Sequence, residues 1–394
     1  MYEQSKIALL DTRTRHLQAE PSLQEADIDR FYSESSPKIH VLYQPIIDLK
    51  KEKVVRVEGL VRFQDQGQLI SPEKVLPFLH QEAVTRINFL VLKQAARDLR
   101  LWKNLGLNFK VSINIEIFQM ENPNFAHTIL RILGRENISP QDIALEILEG
   151  NDLEISTRMM DQMRVLRQEK MTFSLDDVGS AYSGLTRIKN LPVDSLKLDG
   201  GFVRDLHQKP DDLTFIQALS ALSRSLGKAF IVEGVEDAAL LNALRRLDVT
   251  LIQGYVFSRP ISAEEIPQYI CNLRIPRHSD VLQPGDWIGA YAEILHERER
   301  LTAMLRHAPE MLDRRYIKKQ PDEIMESCLL LTPHIYQLYC QQRMFVSQAA
   351  GLHPQILNAG MIDKIEQGYR TLLLEIEKQI PEVNHEKPGT HRYS

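Results

Sequence analysis

IALEILEGNDLEISTRMMDQMRVLRQEKMTFSLDD, residues 143–177, contains the unit from which most of the chain is built. A short apolar run, IALEIL (143–148), leads into a stretch of helical periodicity over 152–169, and a second run, MTFSLDD (171–177), follows it. Apolar runs of this length suit strands buried on both faces, and helices inserted between them make the strands parallel. The pattern continues in both directions. VLYQPIIDL (41–49), VVRVEGLVRF (54–63) and KVSIN (110–114) precede it, while SLKLD (195–199), AFIVEG (229–234) and TLIQG (250–254) follow, giving eight candidate strands. Ile87, Val91, Ala95, Leu99 and Trp102 recur at steps of three or four in a helix expected over 84–103, and further helices are expected over 211–227 and 237–247. Eight such units within residues 37–272 suit a TIM-like (β/α)8 barrel better than an open doubly wound sheet. No G-x-G-x-x-G or Walker-type loop follows the first strand, which argues against a nucleotide-binding open sheet.

Outside the barrel the pattern changes. Residues 1–36 read as a polar lead-in segment, and Pro276, Pro284 and Gly285 mark a linker over 273–286. Residues 287–382 form a smaller, mainly helical region with amphipathic stretches at 287–312 and 359–380, before a tail over 383–394 that is expected to be disordered. IYQLYC (335–340) and RMFVS (343–347) fit either a helix or a pair of short strands. The region is therefore a helical appendage or a small α+β sensory or regulatory domain of PAS or Cache type.

The composition of the 394 residues, 43% hydrophobic and 26% charged, excludes collagen-like and wholly disordered chains. Lys and Arg total 48 against 53 Asp and Glu, a net charge of -5 that lacks the positive field expected of a binder of nucleic acid polymers. Three cysteines without C-x-x-C spacing point away from a disulfide framework or a zinc site, so a cytoplasmic location is expected. No run approaches the roughly 20 apolar residues of a membrane span.

The chemistry lies at the strand ends. Glu58, Asn114, Glu146, Asp176 with Asp177, and Glu233 sit in or just beyond the C-terminal halves of five strands, and in a parallel barrel such residues converge on the mouth. Singly, each reads as well as a helix cap or an ion-pair partner. Together they form a set of oxygen ligands with one amide and no Cys or His, which favours a hard cation, Mg²⁺ or Mn²⁺. Two such ions bridged by a carboxylate are a common device for phosphodiester hydrolysis, with Asp176 the candidate bridge. Lys197, an ammonium in an apolar strand, needs the carboxylates as partners.

YQPIIDLKKEKVVRVEGLVRF (43–63), SIN (112–114), LEILE (145–149), LDDVGSAYSGL (175–185), LPVDSLKLDGGFVRDL (191–206), VEGVE (232–236) and IQGYVFSRPIS (252–262) resemble, in order and spacing, the EAL-domain phosphodiesterases of cyclic di-GMP. The resemblance implies a dimeric barrel with two Mg²⁺ or Mn²⁺ ions, inhibition by Ca²⁺, and linear pGpG as product. It places Glu58, Asn114, Glu146 and Asp176 on the first ion and Asp176, Asp177 and Glu233 on the second. Lys197 and Gln253 match positions that order water and the metal shell, and Glu236 a supporting acid. Gln44, Leu60, Arg62, Asp199 and Pro260 match substrate contacts, and Glu149 the anchor of the loop after Asp177. Two departures stand out: Gly59 replaces the alanine of the family signature, and Val178, Ala181 and Gly184 alter the loop. The rival reading is an EAL-like receptor or protein-interaction module without turnover; members of that class usually lack a ligand or the lysine, and this chain keeps all of them.

Overall fold

The computed structural model describes residues 39–65, 67–148, 155–179, 185–276, 286–307, 333–350 and 359–379; the expected lead-in, the tail, Glu149 and loop residues 180–184 lie outside them. The described residues open with a hairpin of β1 (Ile39–Asp48) and β2 (Lys53–Asp65), paired from Ile39 opposite Phe63 to Asp48 opposite Lys53 with a register shift between Ile46 and Ile47. Its turn is held by the Asp48 carboxylate, which accepts from the backbone N–H groups of Lys50 and Lys51, each at 3.0 Å. A short β3 (Gln68–Ile70) extends the end of β2 outside the barrel.

Strands and helices then alternate: α1 (Gln81–Asn104), β4 (Lys110–Ile115), α2 (Phe125–Glu136), β5 (Ile143–Leu148), α3 (Thr157–Gln168), β6 (Thr172–Val178), α4 (Leu185–Asn190) and β7 (Ser195–Leu198). After the short α5 (Gly200–Arg204) come α6 (Asp212–Ser225), β8 (Ala229–Val232), α7 (Ala238–Arg246), β9 (Leu251–Gln253) and α8 (Ile266–Asn272). Pairing of Ile46 with Gln253 closes the sheet, so the eight expected strands form a closed barrel.

One strand departs from the expected parallel sheet: β1 runs antiparallel to both β2 and β9. The cause is local. Only Leu49–Glu52 separates β1 from β2, too short for a crossover helix, and a tight turn joins strands only in antiparallel fashion.

Alternate residues of each strand face the barrel interior. On β2 that face carries Arg56, Glu58, Leu60 and Arg62 in order towards the mouth. Below the carboxylates lie small residues, the buried Ser112, Ala144, Ser174 and Ser195, with the Ser195 hydroxyl donating to Ser174 Oγ at 2.9 Å. Outside, a clamp joins the first strand to the last turn of the barrel. Tyr43 exchanges two backbone hydrogen bonds with Ile261, packs its ring edge-on against Trp102, and donates from its hydroxyl to Asp98 Oδ2 at 2.5 Å. Trp102 Nε1 in turn donates to the Ala263 carbonyl at 3.0 Å.

Beyond the barrel, α9 (Trp287–His307) packs on α7, with an Arg246–Glu293 ion pair at 2.5 Å, and α10 (Pro333–Ala350) and α11 (Ala359–Glu377) complete the cover. The strand-pair alternative for 335–340 and 343–347 is overturned, because both runs lie within α10. Ile335, Tyr339, Gln342 and Val346, buried at steps of three or four, give that helix its inner face. Glu297 of α9 joins the three helices by accepting from Tyr339 Oη (3.1 Å), Tyr369 Oη (2.9 Å) and Arg343 Nη1 (2.5 Å). Among the described residues no helix is long and apolar enough to cross a membrane.

The buried clamp yields a stability prediction. Tyr43→Phe keeps the ring packing but removes a donor from the buried Asp98 carboxylate, at a cost of about 1–3 kcal/mol. Urea unfolding should show the midpoint falling while the slope stays constant.

Candidate metal centre at the barrel mouth

The centre is built around one ammonium group. Lys197 of β7 is fully buried, and its Nζ lies 2.6 Å from Glu146 Oε2, 2.5 Å from Glu233 Oε1, 3.2 Å from Asp176 Oδ1 and 3.3 Å from Glu58 Oε2. Glu58 is also held from two sides. Asn114 Nδ2 donates to its Oε1 and Gln253 Nε2 to its Oε2, both at 2.8 Å. Gln253 Nε2 also reaches Gln44 Oε1 at 3.2 Å, and Gln44 Nε2 donates to the Ser258 carbonyl at 3.2 Å. Gln44 stands opposite Glu58 in the β1–β2 register, so the hairpin delivers both together.

The two adjacent aspartates need a break in the strand. The β6–β7 register shifts between Leu175 and Val178, and Asp177 takes a left-handed φ of 55°, a conformation uncommon outside glycine and most accessible to Asp and Asn. Asp176 is thereby buried against Lys197 while Asp177 stays half-buried beside Asp199.

Backbone contacts fix the neighbouring strand ends. At Gly234, with φ of 68°, a Cβ would stand 2.6 Å from Gly200 Cα, so the segments just beyond β7 and β8 touch main chain to main chain. At Gly254 a Cβ would lie 2.0 Å from the Val235 carbonyl oxygen. Only glycine permits these approaches, and they hold Glu233 and Gln253 in place.

Burial and mutual repulsion set the charges. Burial raises the Glu146 carboxyl to about 7; Lys197 offsets this in part, and Glu58 and Asp176 add to it. Asp177 is raised to about 6 by burial and by Asp176 and Asp199. Burial also drives Glu233 well above its usual range. Glu58 behaves oppositely: burial would raise it, but Lys197 and the amides of Gln253 and Asn114 prevail and lower it. Burial works against the Lys197 ammonium, yet Asp176, Glu146, Glu233 and Glu58 hold it charged, well above 10.5.

The donor set fits hard divalent cations. Glu58, Glu146 and Asp176 offer oxygens within 4.8 Å of one another. Among the described residues, Asn114 Oδ1, Glu146 Oε1 and Gln253 Oε1 are buried acceptors without a hydrogen-bond partner. Unsatisfied buried acceptors are costly, and a cation would satisfy them.

Several expected residues stand apart from this cluster. Leu60 and Arg62 are half-buried further along β2, where Arg62 Nη1 donates to the Val61 carbonyl at 2.8 Å. Asp199 caps α5 by accepting from Gly201 N at 2.6 Å, Pro260 is half-buried, and Glu236 is exposed. The sequence reading missed Arg56, whose Nη1 lies 3.7 Å from Glu146 Oε1 inside the barrel. Its signal was available: Arg56 precedes Glu58 by two residues and so shares its face. The Ser258 carbonyl carried no comparable signal.

Comparison with known proteins agrees with this geometry. Residues 26–260 match the family described as EAL domain. The chain is 30% identical over 230 residues to the bifunctional diguanylate cyclase/cyclic di-GMP phosphodiesterase MucR of Pseudomonas aeruginosa, covering 57% of this chain and 33% of that protein. It is 28% identical over 265 residues to the cyclic di-GMP phosphodiesterase NbdA of the same organism, covering 66% and 33%. The chain thus spans about a third of the length of these curated relatives. A solved structure described as PaMucR phosphodiesterase in complex with c-di-GMP superposes with a TM-score of 0.57 at 28% identity, covering 61% of this chain and 99% of that one.

The raised carboxyls predict how pH acts on the cation-free protein. A carboxyl whose pKa is raised on folding binds its proton more tightly in the folded chain, so its contribution is full below 4.5 and is lost as pH rises through about 7 for Glu146. The lowered Glu58 acts only below 4.5, outside this window. In EDTA, Tm should therefore fall between pH 5 and pH 7. Saturating Mg²⁺ should raise Tm more at pH 7 than at pH 5, as followed by calorimetry; equal Mg²⁺ shifts at both values would contradict cation binding by these carboxylates.

Proposed function

The chain belongs to the EAL domain family, and from that premise we propose that it hydrolyses cyclic di-GMP to linear pGpG at the barrel mouth. The observation that carries the reading is the set of groups around Lys197: four carboxylates touching its ammonium, with buried amide and carboxylate oxygens that accept no hydrogen bond. In this reading Glu58, Asn114, Glu146 and Asp176 hold one Mg²⁺ or Mn²⁺ ion, and Asp176, Asp177 and Glu233 the other. Bound there, two divalent cations lower the pKa of a water and neutralise charge that builds on the phosphate.

The chain's own residues supply the rest. Lys197 keeps a fixed positive charge beside the reacting phosphate and orients the water, and the Gln253 amide holds the Glu58 carboxylate that faces it. Water adds to one phosphorus, the bond from that phosphorus to the 3′ oxygen breaks, and the leaving oxygen takes a proton. Gln44, Leu60, Arg62, Asp199 and Pro260 line the approach for the dinucleotide, with the Arg62 guanidinium offering a fork to a phosphate oxygen. Glu236 acts as a supporting acid, and Glu149 anchors the loop after Asp177. Pairing of two barrels in a homodimer, a division at 273–286, and control of turnover by the C-terminal helices belong to the same reading.

Incubation of the purified chain with cyclic di-GMP and Mg²⁺ or Mn²⁺ should yield pGpG by chromatography. Glu58→Ala and Lys197→Met should each lower kcat by about 10²–10⁴-fold. Binding of the dinucleotide with no pGpG formed would overturn hydrolysis and leave a receptor.

A further inference from the structure

A second concave site lies at the opposite end of the barrel. A cavity of about 400 Å³, within the range of small-ligand sites, is lined by Lys51, Lys53, Asn108, Lys110, Gln141 and Asp142, with Val55 and Phe109 between them. Lys53 opens β2 and Lys110 opens β4, whereas Glu58 and Asn114 lie further along the same two strands towards the mouth. The cavity is therefore at the floor, separate from the carboxylate cluster.

Its charges are unevenly matched. Lys51 pairs with Asp48 at 3.0 Å, Lys103 beside the cavity pairs with Asp142, and Asp194 pairs with Arg167 at 2.7 Å, so these acids already have cations. Among the described residues neither Lys53 nor Lys110 forms an ion pair. Lys53 is exposed, and Lys110 is half-buried, donating to Thr172 Oγ1 at 3.2 Å. Lys110 also stands opposite Arg56 in the β2–β4 register, and Arg56 is inside the barrel with its guanidinium turned to Glu146. Burial and the adjacent Arg56 charge both work against the Lys110 ammonium, and Asp194 and Asp142 oppose them. A cation in that position gains most from an anion arriving through the open side. The remaining walls are mainly polar: the exposed Asn108 and Gln141 offer amides, and the half-buried Val55 a small apolar patch.

We propose that this floor cavity binds a small phosphorylated anion, a pyrophosphate group alone or one carried by a nucleoside diphosphate, with its oxygens on Lys53 and Lys110. Two phosphates meet two cations, and the Asn108 and Gln141 amides are placed to hydrogen-bond a base. The acidic overall charge of -5 does not oppose this, because exposed charges beyond about 10 Å are largely screened at 0.1 M salt.

The test is calorimetric titration of the full chain with sodium pyrophosphate and with GDP, both in EDTA so that no cation bridges either ligand to the mouth. Saturable binding should weaken with added NaCl and fall at least about tenfold in Lys53→Gln/Lys110→Gln. GDP binding more tightly than pyrophosphate identifies a nucleotide site; equal affinities identify a site for the phosphate groups alone. Lys53→Glu, at an exposed position, gives the same reading if the double variant does not fold. No binding of either ligand at millimolar concentration, or binding that survives these substitutions and is lost in Arg62→Ala, overturns the proposal.

Discussion

Everything at the mouth depends on keeping the Lys197 ammonium charged in a place that water does not reach. Removing a charge from water costs several kcal/mol even after relaxation, and a single partner rarely repays it. Here four carboxylates surround it, and they leave the cluster with excess negative charge that the Arg56 guanidinium only partly offsets. Burial is the first cause of the raised Glu146, Asp177 and Glu233, and the neighbouring carboxylates add to it. A site in this condition is poised for cations, since binding converts repulsion already present in the folded chain into affinity. The small residues beneath, Ser112, Ala144, Ser174 and Ser195, leave room in the barrel for Arg56 to approach from below.

Such a cluster also needs a backbone that cannot relax away from it. Repelling carboxylates would separate if their strands were free to move, and three features oppose that: the Gly200–Gly234 contact, the Gly254–Val235 contact, and the Tyr43 clamp across Trp102 and Asp98. Gly59 bears on the same point in a milder way. A Cβ there would stand 2.8 Å from Ile113 Cδ1, the movable end of a side chain. The alanine of the family signature is thus compatible with this backbone after a small shift of Ile113, and the glycine leaves Glu58 and Leu60 on their strand face.

The strands were legible because burial on both faces forces apolar runs, and the ligands were legible because strand ends in a parallel barrel have one destination. Lys197 stood out since an apolar strand rarely holds a lysine. Other features were hidden for physical reasons. The direction of β1 depends on the length of a turn rather than on apolar pattern, and 49–52 had to be read as a turn before antiparallel pairing could follow. The left-handed Asp177 and the shifted β6–β7 register are set by a neighbouring strand, which periodicity along one segment does not encode. In α10, Tyr, Phe and Val carry strand preference, and tertiary contacts to Glu297 and the Ile365 carbonyl override it. The roles at the mouth came from resemblance, and geometry accounts for the convergence of Glu58, Asn114, Glu146, Asp176, Lys197, Glu233 and Gln253 but not for the exposed Glu236.

Net charge is a poor guide to what this barrel can bind. At ordinary ionic strength an exposed charge is felt over about 10 Å, so a ligand responds to the groups lining its own cavity. Along the barrel axis those groups change sign. Lys53 and Lys110 lie at the floor, with Arg56 just inside; the carboxylates around Lys197 follow; and Arg62 stands towards the rim. The acidic middle repels an anionic ligand unless divalent cations reverse its charge, whereas the floor needs no such reversal. Cation dependence therefore separates the two ends: anion binding at the mouth should require the metal, and anion binding at the floor should proceed without it.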